Sequence, residues 1–282
     1  MLLSVRRNPI RPVFLYVVLT VIAFFLLVPV FWMVSTSLKT LGHEFDLPVQ
    51  WIPSDPRWEN YAEAWSNPLT KSDFARYTIN SVIVTTTVTL LNVLFTSLAG
   101  YGLAKYRFAG RSVLFLAIVV TLILPLEVIM VPLFLTMRDL GWINSYQGLI
   151  VPVIADAFGV FLMRQWFRSL PDSLIEAARI DGASHLRVFF TIAMPLSWPA
   201  IITVGVFAFR ETWDDFTWPF LVIQSDAMRT IPLGIRTFQQ AELSNFPHIM
   251  ALTTLASIPL AVFYFLFQRY FVRGVAASGI KE

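Results

Sequence analysis

The chain has 282 residues, of which 56% are apolar, 15% aromatic and only 14% charged, with a net charge of +3. That balance excludes an ordinary soluble globular domain and makes the lipid bilayer the expected solvent. Cysteine is absent, which excludes disulfides, thiolate metal sites and a cysteine nucleophile.

Reading from the N-terminus, a basic start is followed by the uncharged run Val13 to Leu38. This run is much longer than the apolar core of a cleaved signal peptide, roughly 7–15 residues, so it predicts a retained first helix. A polar insert from Lys39 to Arg76 follows, rich in Pro and Trp, including Trp51, Trp58 and Trp65. Its rings suit a membrane interface or an outside partner. Tyr77 to Ala104 is again free of charge, and Ser112 to Leu126 and Val128 to Met137 flank the single acid Glu127. Further long stretches are Leu140 to Ala155, Val188 to Phe209 and Phe246 to Gln268. Because a spanning helix needs about 20 apolar residues, the two halves around Glu127 join into one span.

The expected fold is therefore all-α and integral to the membrane, a single domain with six transmembrane helices over about 13–36, 78–103, 113–136, 146–167, 200–223 and 250–270. An outer loop covers 39–76 and a polar loop covers 169–198. With the N-terminus inside, thirteen of the twenty-one basic residues fall on the cytoplasmic side, among them Arg6, Arg7, Arg11, Lys105, Arg107, Arg111, Arg269, Arg273 and Lys281. Short loops rich in Lys and Arg stay inside, so both termini are predicted to be cytoplasmic in a plasma or inner membrane. The basic residues are scattered over loops, which argues against a nucleic-acid face.

The loop between the fourth and fifth spans predicts its own structure. Pro171 suits a first helical position, Asp172 meets the positive end of the helix dipole, and Gly182 can close the helix in a left-handed conformation. One helix is expected over roughly 171–181, and Ser184 can cap a second, shorter one before Pro195. The product is a bent knob with small residues, Ala177, Ala178 and Ala183, where a partner can approach. Glu176, Arg179 and Asp181 supply charges at its rim.

Acids inside spans cost free energy and normally face the protein interior or a water-filled path. Glu127 and Asp156 are isolated, whereas Glu211, Asp214 and Asp215 accompany Arg210 in the fifth span. Arg210 and Asp214 have i, i+4 spacing and can neutralise each other or line a path; Glu211 and Asp215 form a second acidic stripe on the same reading. Trp213 and Trp218 offer faces that can stack on a sugar ring or pack between helices. Pro125, two residues before Glu127, interrupts its helix and kinks that span.

No phosphate loop, no catalytic nucleophile with its base and no metal-ligand spacing occurs; His43, His185 and His248 lie far apart. No cofactor or metal site is expected, and the chain is read as a transport subunit rather than an enzyme.

The run Glu176-Ala177-Ala178-Arg179-Ile180-Asp181-Gly182-Ala183, followed by Met194-Pro195-Leu196, resembles the EAA loop of ABC importer permeases. Other segments resemble the maltose-type carbohydrate permeases: Asn80-Ser81, the run from Ala99 to Gly110, Leu124-Pro125, Trp213-Asp214-Asp215-Phe216 and the tail from Gln268 to Gly274. The chain departs from that pattern in having Asp214 where the family usually has Asn, and in the charged pair Arg210-Glu211. The resemblance implies a permease that docks residues 176–183 on a separate ATPase, where ATP and magnesium are bound. It implies four kinds of partner: a second permease, two ATP-binding subunits, an extracytoplasmic substrate-binding protein and a carbohydrate. An ion-coupled secondary transporter using the buried carboxylates is the alternative.

Overall fold

The structure is a computed structural model that describes residues 10–66, 73–242 and 245–279, with side chains described at 13–66, 73–242 and 245–268. Arg6, Arg7, Lys71 and Lys281 lie outside the described residues, as do the side chains of Arg11, Arg269 and Arg273. Among the described residues every regular element is helical. Three helices are long and apolar enough to cross a membrane alone: Val13–Ser37, Phe74–Lys105 and Phe246–Gln268. Three further pairs meet that test only together, each broken by a bend. The chain divides into two compact units, one holding the described residues up to 66 together with 237–256, the other holding 73–236 with the described residues from 257 onward.

In the first unit, α1 (Ile10–Ser37) is followed by a loop and by α2 (Glu59–Trp65). None of the most apolar stretch of α1 is buried within the chain, as expected for a helix that faces lipid or another subunit. Its C-terminal end is held by polar contacts. Asn60 Nδ2 donates to the carbonyls of Ser37 and Lys39, both at 2.9 Å, and Ser37 Oγ lies 2.7 Å from the Tyr61 hydroxyl. Lys39 is buried against the Trp32 ring and donates to Glu44 O at 3.1 Å.

The second unit is organised by α3 (Phe74–Lys105), a single helix of 32 residues. Around it lie α4 (Arg111–Thr121), α5 (Leu126–Asp139), α6 (Tyr146–Ile150), α7 (Ala157–Ser169) and α11 (Trp198–Asp214). The expected single span around Glu127 is two helices, α4 and α5, bent by 101° at Leu122 to Pro125, where proline removes the amide that would continue the ladder. α6 with its 3₁₀ extension meets α7 at 43°, and the segment His185–Leu196 meets α11 at 83°.

Close packing of α3 on α7 is possible because Gly100 has no side chain: a Cβ there would lie 2.7 Å from Met163 Cβ and 2.8 Å from the Arg164 amide nitrogen. Around this crossing Tyr101, Met163, Phe167, Phe189, Ala193 and Val204 form one apolar core. A second core joins Val84 and Val88 of α3 to Met137, Leu149, Trp218 and Val222. The second core is clipped by polar side chains. Asn80 Nδ2 donates to Ala227 O and Arg229 O at 3.0 and 2.8 Å, while its Oδ1 accepts from the Tyr146 hydroxyl at 2.6 Å. Ser81 Oγ accepts from the Ile231 amide at 2.8 Å. Here lie the short helix α12 (Thr217–Val222) and the start of α13 (Ile231–Ala241). The last helix, α14 (Phe246–Gly279), stacks Phe263 on Phe209 of α11 with centroids 4.0 Å apart.

Candidate functional site

Two features of the second unit stand out, a polar cavity and a knob, and α3 reaches both. The cavity measures about 710 Å³. One stripe of α3, Ser81, Thr85, Val88 and Asn92, forms part of its wall at intervals of three or four residues. Asp156, Arg210, Glu211, Asp214, Asp215, Trp218 and Thr230 also line it, so four acidic side chains and one basic side chain meet a single space. Asp156 accepts from Asn92 Nδ2 at 2.7 Å and from the Gly159 amide at 2.6 Å, capping the N-terminus of α7. Asn92 Oδ1 and Thr230 Oγ1 are buried and have no hydrogen-bond partner among the described residues. Such groups are costly unless something polar reaches them.

The sequence-derived pathway residues divide. Arg210 and Asp214 sit one turn apart, Nε to Oδ2 at 4.0 Å, with both side chains at least half exposed. Glu211 lines the cavity from α11. Asp215 does not share a helical face with Glu211: α11 ends at Asp214, and Asp215 Oδ1 accepts from the Trp218 amide at 3.2 Å. That short-range cap competes with continuation of the helix and starts α12 instead. Trp218 is fully buried and donates from Nε1 to Gly148 O at 2.8 Å. Trp213 is also buried, is absent from the cavity wall and stacks on Phe209 at 5.7 Å. Neither ring presents an open face in this conformation. Glu127 is exposed in the first turn of α5 and lies outside the cavity wall, although Leu126 and Ile129 belong to it. Sequence reasoning missed Thr85, Asn92 and Thr230 as wall residues; the polar stripe on α3 was the available signal for the first two.

The knob is built by α8 (Asp172–Ile180) and α9 (His185–Val188). Pro171 precedes α8 in an extended conformation rather than opening it. Gly182 has φ +83°, and the amides of Gly182 and Ala183 donate to the carbonyls of Arg179 and Ala178 at 3.1 and 3.0 Å. This pair of bonds is a Schellman closure, satisfying two carbonyls that the helix leaves free. Ser184 Oγ then accepts from the Arg187 amide at 3.3 Å and starts α9. The helix continues through a π segment (Phe189–Ala193) and α10 (Met194–Leu196). Glu176, Ala177, Arg179 and Asp181 are exposed, and Ala178 and Ala183 are half-buried.

The knob is fastened to α3. The Lys105 side chain is buried, and its Nζ donates to Leu170 O and to Asp172 Oδ1, both at 2.6 Å. The Lys105 ammonium holds the Asp172 carboxyl below the usual carboxylate range. Next to it, the Tyr106 hydroxyl and the Arg179 guanidinium reach His185 Nδ1 at 2.7 and 2.8 Å.

Residues 92–277 match the family model described as the binding-protein-dependent transport system inner membrane component. The chain is 33% identical over 275 residues to the probable ABC transporter permease protein YurM of Bacillus subtilis, covering 95% of this chain and 87% of that one. It is 36% identical over 202 residues to the arabinooligosaccharides transport system permease protein AraQ of Halalkalibacterium halodurans, covering 72% of each. It is also 32% identical to the sn-glycerol-3-phosphate transport system permease protein UgpE of Yersinia pestis, covering 94% of this chain and 96% of that one. A crystal structure of a bacterial ABC transporter involved in import of the acidic polysaccharide alginate superposes with a TM-score of 0.81 at 25% identity, covering 96% of this chain and 100% of the matched chain.

Proposed function

Since this chain belongs to the binding-protein-dependent transport inner-membrane component family, we propose that it forms half of the translocation pathway of an ATP-driven importer for a sugar or oligosaccharide. The observation that carries this reading is the continuity of α3. Its middle walls the cavity at Ser81, Thr85 and Asn92, and its end holds the knob through Lys105. From Asn92 to Lys105 the helix runs about 20 Å at 1.5 Å per residue, so a displacement of the knob is delivered to the cavity by a rigid element.

In this reading Glu176, Ala177, Ala178, Arg179, Asp181, Gly182 and Ala183 meet a separate ATPase, which binds ATP and magnesium. The exposed Ile180 and Leu186 give that contact an apolar centre. Coupling requires the knob to contact the two nucleotide states of the ATPase differently, not merely tightly. A second permease completes the pathway, and an extracytoplasmic binding protein delivers substrate. The six spans follow Val13–Ser37, Phe74–Lys105, the bent pairs Arg111–Thr121 with Leu126–Asp139 and Tyr146–Val153 with Ala157–Ser169, then α11 from Trp198 onward, and Phe246–Gln268, which leaves the knob outside the bilayer. The excess of Lys and Arg in the loops on that side puts both termini in the cytoplasm. Arg210, Glu211, Asp214 and Asp215 offer donors and acceptors to hydroxyl groups; Trp213 and Trp218 hold the wall in shape. Glu127 enters the path only in another state of the transport cycle. A space of about 710 Å³ suits a small saccharide.

The test is uptake into proteoliposomes that contain this chain with its neighbouring permease, ATPase and binding protein. Wild type should couple substrate-stimulated ATP hydrolysis to uptake, and Gly182→Pro and Glu176→Lys should lose it with the complex still assembled. Uptake without ATP that follows a proton or sodium gradient would replace this reading by the ion-coupled carrier, whose ionisable groups the cavity also contains.

A further inference from the structure

A second concentration of charge lies where α3 turns into α4. α3 ends at Lys105, and α4 begins at Arg111 after Gly110, whose φ is +81°. Arg107, Phe108, Gly110, Arg111, Ser112 and Val113 line a separate cavity of about 350 Å³. Arg164 approaches the first turns of α4 from α7: it is 9% exposed, its Cζ lies 3.6 Å from the centre of the Phe115 ring, and Nε donates weakly to Leu103 O at 3.4 Å. Arg111 and Arg168 act on it as like charges. Among the described residues no ion pair joins a carboxylate to Arg107, Arg111, Arg164 or Arg168. Asp172, whose carboxylate feels Arg107, is bonded to Lys105. Among the described residues, four guanidinium groups, one of them nine-tenths buried, therefore have no carboxylate in an ion pair with them; Arg111 Nη1 donates only to the Tyr106 carbonyl, at 2.9 Å. Burying such charge without a counter-charge is unfavourable.

The surroundings say what kind of anion fits. Gly110 supplies no side-chain cap to the first turn of α4; the Arg111 amide donates to Phe108 O at 3.4 Å, and the amides of Ser112 and Val113 remain available beside the guanidinium groups. Leading away from the cavity, Val113, Leu116 and Val120 share one face of α4 and are 72%, 61% and 47% exposed. A free phosphate would leave that face uncovered; a phosphodiester carrying acyl chains satisfies both parts. We propose that the α3–α4 corner binds the headgroup of an anionic phospholipid, with Arg107 and Arg111 on the phosphate and the Val113–Leu116–Val120 face along an acyl chain. The corner lies at the end of α3 that holds the knob, so a bound lipid rests against the segment that moves with it. Basic pockets between spanning helices recognise anionic headgroups through this chemistry.

Native mass spectrometry of the full-length chain in neutral detergent tests the assignment, with phosphatidylglycerol and phosphatidylcholine of the same acyl chains as probes. Wild type should retain phosphatidylglycerol preferentially. Arg107→Gln with Arg111→Gln should weaken that retention by about tenfold and leave phosphatidylcholine unchanged. Arg107→Lys with Arg111→Lys should recover most of it, and Arg138→Gln, at an exposed arginine already paired with Asp139, should have no effect. Should the glutamine pair fail to fold, the comparison falls to Arg107→Gln alone, an exposed position outside the core. Equal phosphatidylglycerol retention in folded glutamine variants and wild type overturns the proposal. So does displacement of the lipid by inorganic phosphate, which would make the corner a small-anion site.

Discussion

At Gly182 the backbone stands at φ +83° and a Cβ would meet nothing within 4 Å, so a side chain there is disfavoured by conformation alone. Gly182→Ala should cost about 1–2 kcal/mol, concentrated in the knob. Faster amide exchange in α8 with an unchanged melting temperature of the bundle is the expected signature. Gly100 is the opposite case, a helical position where the added carbon collides with α7. Gly100→Ala should destabilise by about 1–3 kcal/mol through overpacking. Gly102→Ala, two residues along the same helix with nothing within 4 Å, should be neutral or gain roughly 0.5–1 kcal/mol. Thermal unfolding in detergent reads the order; Gly100→Ala melting at or above Gly102→Ala would contradict the close crossing of α3 and α7. Charge at the knob gives a pH dependence. Because Lys105 lowers the folded pKa of Asp172, the contact stabilises above the unfolded value of about 3.9 and is lost as pH falls through the lower folded value. Amide exchange in α8 should therefore be faster in Asp172→Asn than in wild type at neutral pH, and the difference should vanish only in strong acid.

Asn80 shows how one side chain fixes an element. Its three hydrogen bonds tie α3 to the turn before α13 and to Tyr146, and all are buried or partly buried. Asn80→Leu leaves two carbonyls and a hydroxyl without their partner and should cost about 1–3 kcal/mol. Limited proteolysis should then cut within residues 226–231, where wild type resists; equal resistance would show that the clip is redundant. The same distinction between local and long-range causes decides what the sequence revealed. α3 was legible because 28 uncharged residues from Tyr77 to Ala104 have no competing structure in a bilayer. The closure of α8 was legible because Gly182 and Ser184 act within four residues of their partners. The 101° bend between α4 and α5 was only half legible: Pro125 announces an interruption, but its angle depends on what packs around it. Within the cavity, Arg210, Glu211 and Asp214 were readable as ionisable groups in an apolar run. Asp215 was misplaced on the helix because its bond to the Trp218 amide competes with helix continuation, which periodicity cannot register. Trp213 and Trp218 looked available because a sequence does not show which aromatic faces are already covered.

For the molecule as a whole, orientation is set by charge outside the helices rather than by packing within them. The most apolar stretch of α1 has a mean hydropathy of 2.9 and none of it is buried in the chain, and the polar contacts at its C-terminal end tie it to α2 without choosing a side of the bilayer. Arginine and lysine in short loops do, because carrying them across is costly and the cytoplasmic leaflet attracts them. The loop that contains Ser54 and the knob that contains Ser173 should therefore lie on opposite sides. The absence of cysteine allows a direct measurement. Both serines are exposed, so Ser54→Cys and Ser173→Cys each introduce a single reactive thiol without disturbing a core. In intact cells stripped of the outer permeability barrier, a membrane-impermeant maleimide should label Ser54→Cys at once. It should label Ser173→Cys only after the membrane is opened. Reversed labelling would place the knob outside, where no ATP-driven partner could reach it, and would remove the basis for coupling through α3. Labelling of both from one side would mean an odd number of crossings between residues 54 and 173 is wrong, and the bent pair α4–α5 would then be a re-entrant hairpin rather than a span.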